Sequence, residues 1–538
     1  MTLAIVVAAS GARSASAGPP VAITDVTIVD VEHARRIGPR TVVIDGGHIV
    51  AITAPHLARI PAGAQRVDGR GRFVIPGLVD MHVHLFNNAS RRPPNDWAFP
   101  LFVASGVTAV REMNAGPIAT VQRWRTAIDR GELVAPRILA VGVAVRGRVP
   151  RAEVAAAADA GADFIKVFSE LPAPSWATIV EAARARGLTV AGHAPAGVAL
   201  RVTADGGQRS VEHLMQAYEA CSTIEARLLD DRRDLTGDEL IARRDAQEPA
   251  ALAAFDRRTC ARVAGQLAAT GQAQVPTLVL ASDAAQPPRG PAREDPRWRY
   301  LRPDERARWE RLLAAPAEDA GLARRRWQVS LQIVAVLQRA GVMLLAGTDA
   351  PMPRIYPGDA LHDELARLVE AGLTPVEALR AATLAPARFF GIADRAGTVT
   401  IGRRADLVLL DADPTVDIHN TRAIHAVVLD GRLLDRVALD DLLAGAAAAA
   451  AVPARRTPTG LRGWIPGPWS SNLRGAPAGP AIKLEGAWRA RWTSSSRCAR
   501  AGRCACRGRR SRRAPCRHRR RSGGTTSRAA GGCDRASP

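Results

Sequence analysis

The stretch FVIPGLVDMHVHL, Phe73 to Leu85, decides how the rest of the chain is read. It is an apolar run of the kind that forms a buried strand, yet it carries Asp80, His82 and His84 at spacing two. Alternate side chains of a strand share a face, so the three are expected to point together, and residues at the strand's end face whatever lies beyond it. A hydrogen-bonded pair of core histidines would explain His-x-His by itself. What else converges on that strand end therefore carries the meaning.

Upstream, residues 21–75 read as short alternating strands, AITDVTIVD, RTVVIDGGHIVAIT and AQRVDGRGRFV, broken by Gly-Gly and Asp-Gly turns. Residues 395–440 repeat that grammar in GTVTIGRRADLVLLD and IHAVVLDGRLL. The simplest arrangement is a small β-sandwich domain built from both flanks of a central domain. Between the flanks, over residues 76–394, strand-like and helix-like segments alternate. The strand candidates are GLVDMHVHL, GVTAVREM, RILAVGVAV, ADFIKVFSE, LTVAGHAP, RSVEHL, AQVPTLVL and VMLLAGTDA. Helical patterns such as WATIVEAARARG separate them, several stopping at Gly. The alternation predicts an α/β fold, a (β/α)8 TIM-like barrel. Residues 219–330 are too long and too charged for a simple loop. LTGDELIARR and DERARWERLLAA read there as amphipathic helices, an insert over the barrel mouth.

Charge and cysteine divide the chain at the same place. The formal net charge is +22, but residues 451–538 carry 21 Lys and Arg against Glu485 and Asp534, which leaves +3 for residues 1–450. The body is near neutral, and the tail is an Arg-rich, low-complexity segment that reads as disorder or as GC-rich DNA translated out of frame. Cys221 and Cys260 lie far apart in the body and suggest neither a disulfide framework nor a zinc-finger spacing. Residues 1–20 hold a short apolar run before small residues. They read either as a signal peptide, which would send the protein to the periplasm or outside, or as the disordered end of a cytoplasmic protein. No other apolar stretch approaches the ~20 residues of a membrane span.

In a (β/α)8 barrel the active site lies at the C-terminal ends of the strands. His82 and His84 close the first strand candidate, Lys166 lies in the fourth, His193 closes the fifth, His213 the sixth and Asp349 the eighth. Lys166 alone could snorkel and Asp349 could cap a helix, but their joint placement argues for one site. Four imidazoles and a carboxylate suit zinc or a similar divalent ion. A protonated lysine would be repelled there, so Lys166 must be neutral or chemically altered. Carbamylation by CO2 would make it a carboxylate able to bridge two metals.

The chain resembles the metal-dependent amidohydrolase superfamily from about residue 22 to 434, through PGLVDMHVH, GVTAVREM, GADFIKVF, AGHAP, SVEHL, AGTDA, LHDELARLVEAGLTPVEALRAAT and GRRADLVLLD. Within it, the branch of imidazolonepropionase-like enzymes and zinc-dependent Xaa-Pro dipeptidases is nearest. The resemblance implies two divalent metal ions, taken as zinc. His82, His84, carbamylated Lys166 and Asp349 would hold one, and Lys166, His193 and His213 the other. It implies hydrolysis of an amide or peptide bond in a dipeptide, N-acyl amino acid or cyclic amide, with Asp349 as general base and acid. REMNAG stands where relatives read closer to R-D-x-G-G, which bears on pocket shape.

Tyr218, Arg111, Arg354, Tyr356 and His362 lie near strand ends or early in the following loops and are candidates for binding a substrate carboxylate or carbonyl. For the arginines, ordinary ion pairing competes with that role. Alternatives on the same barrel are a deaminase and a lactone or phosphotriester hydrolase, and Lys166 argues against the mononuclear deaminases. A non-catalytic scaffold would be expected to have lost ligands. A nucleic-acid binder would act through the tail alone, because residues 1–450 contain no recognition module. The expected partner is a small-molecule substrate, with no specific nucleic acid and no membrane span, and a homo-oligomer stays open.

Overall fold

Seven parallel strands run in chain order around a barrel: β1 (Leu78–Val83), β2 (Val107–Glu112), β3 (Arg137–Ala144), β4 (Phe164–Val167), β5 (Thr189–Gly192), β6 (Gln208–Glu212) and β7 (Ala273–Val275). In this computed structural model, residues 18–86, 94–146, 149–286, 290–315 and 318–452 are described. Residues 1–17 and the basic tail from residue 453 onward lie outside them, and with them the readings of a signal peptide and a disordered extension.

Each barrel strand is hydrogen-bonded to its neighbour in sequence. The eighth segment closes the ring through bridges rather than a regular strand. Leu344 pairs with Gln274 of β7 and Ala350 with Val83 of β1, both parallel, and Met81 donates its amide to Ala346 at 2.9 Å. Gly347 explains the close fit, because a Cβ there would lie 2.9 Å from His82 Cβ and 2.7 Å from Val275 Cγ1.

The N-terminal strands Val21–Asp30, Arg35–Asp45, His48–Thr53, Gln65–Asp68 and Phe73–Pro76 join Leu407–Leu410, Ile424–Leu429 and Arg432–Leu434 in one eight-stranded sheet. The seam is the antiparallel pairing of Phe73–Pro76 with Leu407–Leu410, which sets Phe73 opposite Leu410. Strand alternation divides the apolar residues. Val21, Val42, Leu407 and Val428 pack among themselves, while Val408, Leu410 and Val427 join the core of the barrel. Phe73–Pro76 leads through Gly77 straight into β1, so the sheet and the strand carrying His82 are held by one piece of chain.

The segment 219–330 departs from its reading as one insert. β7 passes through it, so there are two excursions. Between β6 and β7 come the helices Ala217–Ala220, Glu225–Asp230, Gly237–Ala253 and Arg257–Thr270, and beyond β7 the helices Leu278–Ala285, Pro303–Leu313 and Ala320–Arg339. AQVPTLVL supplied both a strand and the start of a helix, since Thr277 takes a left-handed backbone, φ 47°, and turns the chain.

The cysteines also depart from expectation. Cys221 and Cys260, both buried, form a disulfide across a separation of 39 residues. Sequence distance concealed a spatial neighbourhood in which the Asp256 amide already bonds the Cys221 carbonyl at 2.9 Å. The bond closes the excursion that contains the helix Gly237–Ala253. Purified protein should show no alkylatable thiol at these two positions until reduced. Replacing both by serine should lower stability by about 2–4 kcal/mol through the freed loop. Thiol titration followed by denaturant melts would check this, and two free thiols in oxidised protein would refute it.

Candidate metal centre

His82 lies in β1 and His84 just past it, Lys166 in β4, His193 one residue beyond β5, His213 one residue beyond β6, and Asp349 between the two bridges of the eighth segment. All therefore gather at the C-terminal mouth of the barrel. His82, His213 and Asp349 each offer a ligand atom within 4.8 Å of the others. The His84 Nε2 lies 2.8 Å from Asp349 Oδ1. The His193 ring is centred 5.1 Å from that of His213. Two of these residues depart from ordinary backbone, since His213 has φ 61° and Asp349 φ 64°. Left-handed geometry at bulky residues persists where the surroundings impose it, and such residues cluster at functional sites.

In His82, His213 and His193 the hydrogen bonds fix which ring nitrogen faces inward. Nδ1 of His82 donates to the Glu212 carboxylate at 3.0 Å. Nδ1 of His213 meets Thr277 Oγ1 at 2.8 Å, whose own proton goes to the Pro276 carbonyl. Nδ1 of His193 meets Ser169 Oγ at 3.1 Å. In each ring the outer nitrogen is held, leaving the Nε2 lone pair for the centre, which is how ligand histidines are usually oriented. The consequence is sharpest at His82. Its Nε2 lies 3.1 Å from Asp349 Oδ1, yet it is buried and makes no hydrogen bond. Two acceptors facing each other at that distance repel unless a cation sits beside them, so the donor set fits a divalent metal ion.

Electrostatics agree. Burial holds the His193 pKa well below the usual imidazole value, helped by Lys166. Burial likewise pushes His213 down to about 3. Both rings are neutral and ready to ligate at working pH. Burial alone would raise the Asp349 carboxyl, but His82 and then His213 hold it well below the ordinary range whenever they carry a proton. Burial brings Lys166 down to about 8, against the pull of Glu212 and Asp349. Its amine is therefore far more available as the neutral base than an exposed lysine's. Gly192 makes room for it: a Cβ there would meet Lys166 Cδ at 2.6 Å and the Val167 carbonyl oxygen at 2.4 Å.

Glu212 is the important residue that the sequence reading passed over. It is fully buried and accepts from His82, from Ser210 Oγ at 2.6 Å and from Arg111 Nη2 at 2.9 and 3.0 Å. Burial would raise it, yet Arg111 and then His82 draw it down to about 2, so it stays ionised and orients His82. Glu212→Gln should weaken metal affinity about 10- to 100-fold, measured by competition with a chromogenic chelator. Unchanged affinity would reduce Glu212 to a packing role.

Asp80 does not join the cluster. A register shift between Asp80 and Val83 interrupts the alternation of β1. The Asp80 carboxylate accepts from Thr348 Oγ1 at 2.6 Å and from the Thr348 amide at 3.1 Å, tying β1 to the eighth segment.

The five substrate-contact candidates separate. Tyr218 lines a cavity continuous with His213 and bonds Ser330 Oγ at 2.9 Å. Arg111 is buried, with Nε on the Met81 carbonyl at 2.6 Å and Nη1 on Ser210 at 3.0 Å, so it braces the ligands instead of meeting substrate. His362 is buried against Thr421 Oγ1 at 2.9 Å. Tyr356 packs on Trp309 with ring centroids 4.9 Å apart, and Arg354 donates to the Gly290 carbonyl at 3.0 Å. None of these four lines that cavity.

A family model, the amidohydrolase family, matches residues 328–434, which include Asp349. Over most of the chain, the structure of a bottromycin amidohydrolase superposes with TM-score 0.60 and 25% identity, covering 82% of this chain and 93% of that one. The chain is thus similar to amidohydrolases, by the family model over residues 328–434 and by fold over most of its length. A Xaa-Pro dipeptidase with methionine bound in its active site shares the superfamily fold at TM-score 0.55 and 21% identity, over 77% of this chain and all, 100%, of that one. An adenine deaminase from Methanothrix thermoacetophila is 34% identical over 117 residues, 21% of this chain and 19% of that protein. The matched region thus spans about a fifth of that curated relative's length.

Proposed function

We propose that the protein is a metal-dependent hydrolase of a C–N bond, amide or peptide, in a small substrate such as a dipeptide, N-acyl amino acid or cyclic amide. The observation that carries this reading is the unsatisfied His82 Nε2 facing the Asp349 carboxylate among neutral imidazoles. His82, His84, Lys166 and Asp349 would hold one divalent ion, and Lys166, His193 and His213 a second, zinc being the ion this donor set suits. Lys166 is proposed to act as its carbamate. Bound ions of this kind supply Lewis acidity, lowering the pKa of water and polarising a carbonyl. Asp349 is set to take a proton from the attacking water and return it to the leaving nitrogen, which departs poorly as an unprotonated amine. Glu212 and Arg111 keep His82 in the ligating orientation throughout.

Similarity to an adenine deaminase supports a second reading, removal of an exocyclic amine. Assays of the zinc-loaded protein on dipeptides, N-acyl amino acids and adenine would separate the two. Hydrolysis of amides with no ammonia released from adenine is the expected result, and the reverse would transfer the proposal to deamination.

A further inference from the structure

Of the proposed metal ligands, His213 lines a cavity of about 510 Å³ that also takes in Thr277 and residues of the helical excursions. One wall is the helix Leu278–Ala285, which presents Leu280, Ala281 and Ala284, and Met215 and Leu322 extend the apolar lining. That wall is held in place. Glu364 Oε2 accepts the Val279 amide at 2.8 Å at the helix's first turn, and Tyr218 reaches across to Ser330 on the helix Ala320–Arg339.

The charged lining residues are paired, Glu219 with Arg232 at 3.4 Å and the others among themselves. Arg326 donates to Glu248 Oε2 at 2.8 Å and to Glu318 Oε2 at 2.7 Å, which locks the helix Ala320–Arg339 to Gly237–Ala253 as a roof. Arg244 is paired with Asp245, Nε to Oδ1 at 2.9 Å. Pockets of about 300–1,000 Å³ enclose drug-sized ligands, and a dipeptide of two small residues would leave this apolar wall against water.

From the apolar wall of this cavity, which His213 also lines, we infer that the substrate carries an extended apolar arm on one side of its scissile C–N bond, selected by Leu280, Ala281, Ala284 and Leu322. The inference rests on the hydrolytic reading and narrows it to substrates longer than simple dipeptides. Each fully buried methylene is worth roughly fourfold in binding, so an arm of about eight carbons should raise kcat/KM about 100-fold over an acetyl group even when only partly enclosed.

The test compares N-acetylglycine with N-octanoylglycine, which puts the arm on the acyl side, and with N-acetyl-2-aminodecanoate, which puts it on the amine side. A rise in either series supports the inference and assigns the side. Flat or falling rates in both overturn it while leaving hydrolysis intact, whereas no hydrolysis of any of the three overturns the hydrolytic reading instead. Calorimetric titration with decanoate and with acetate reads the arm without turnover. Decanoate should bind with a negative heat-capacity change and at least tenfold tighter than acetate. Ala284→Trp, which puts a bulky ring on the apolar wall, should remove that preference and lower the long-to-short ratio of kcat/KM at least tenfold. Equal binding of the two acids, or an unaltered ratio in the variant, would sink the proposal.

Discussion

Lys166→Ala is expected to reduce the divalent metal content from near two ions per chain to one or fewer and to depress hydrolysis about 1,000-fold. The side chain is almost wholly buried, 1% exposed, and within electrostatic reach of Glu212 and Asp349. With its pKa lowered to about 8 by burial, the neutral amine that reacts with CO2 is within reach of ordinary pH. A carbamate there would add negative charge to offset that of the proposed ions. Losing it forfeits several kcal/mol of transition-state charge stabilisation, and each 1.36 kcal/mol is tenfold in rate. Elemental analysis by mass spectrometry reads the ions directly. Restoration of metal binding in the variant by added propionate, a carboxylate small enough to enter the vacated space, would single out the carbamate as the missing group. One ion in both proteins, with activity unchanged, would make Lys166 a structural residue and the centre a single-ion site of His82, His213 and Asp349.

Asp349→Asn should cost about 10²- to 10⁴-fold in kcat, the range for removing a positioned general acid and base, with a smaller effect on KM. Asparagine keeps the shape and one oxygen toward His82 and His84 but cannot carry a proton between water and leaving nitrogen. Substrates with activated leaving groups, such as p-nitroanilides, depend less on the returned proton and should lose less. An equal loss on activated and unactivated substrates, accompanied by loss of metal, would leave Asp349 as a ligand alone.

The candidate ligands were legible as a cluster because chemistry-bearing side chains at strand ends stand out against apolar strands. VDMHVHL, AGHAP, SVEHL and AGTDA each put an ionisable residue where the barrel mouth must be. The glycines beside His193 and Asp349 are explained only in three dimensions, by Lys166 and His82 lying under them. Glu212 and Arg111 were harder to read. They are buried opposite charges 101 residues apart in sequence, and a charge in an apolar strand does not name its partner. The substrate candidates were chosen by nearness to strand ends, but direction along a loop is not encoded in spacing. Tyr218 therefore faces the cavity while Tyr356 turns toward Trp309. The flanking strands were evident from their alternation, and AQVPTLVL was read as a strand, but not as one that divides 219–330 into two excursions, because a three-residue strand is short beside the helices around it.

The sheet built from both flanks has a consequence for the order in which the molecule is made. Arg72 and Asp411, ion-paired at 2.7 Å across the seam, are 339 residues apart, so a growing chain displays Phe73–Pro76 as an unpaired edge until nearly all of the barrel has been synthesised. Bare edges invite pairing with other chains, and contacts between distant parts of a sequence form slowly. The next residue, Gly77, donates its amide to the Asp406 carbonyl at 2.7 Å, immediately before the strand that presents His82. Arrival of the C-terminal flank thus both covers a sticky edge and fixes the strand that presents His82, so the proposed metal site would be completed only late in synthesis.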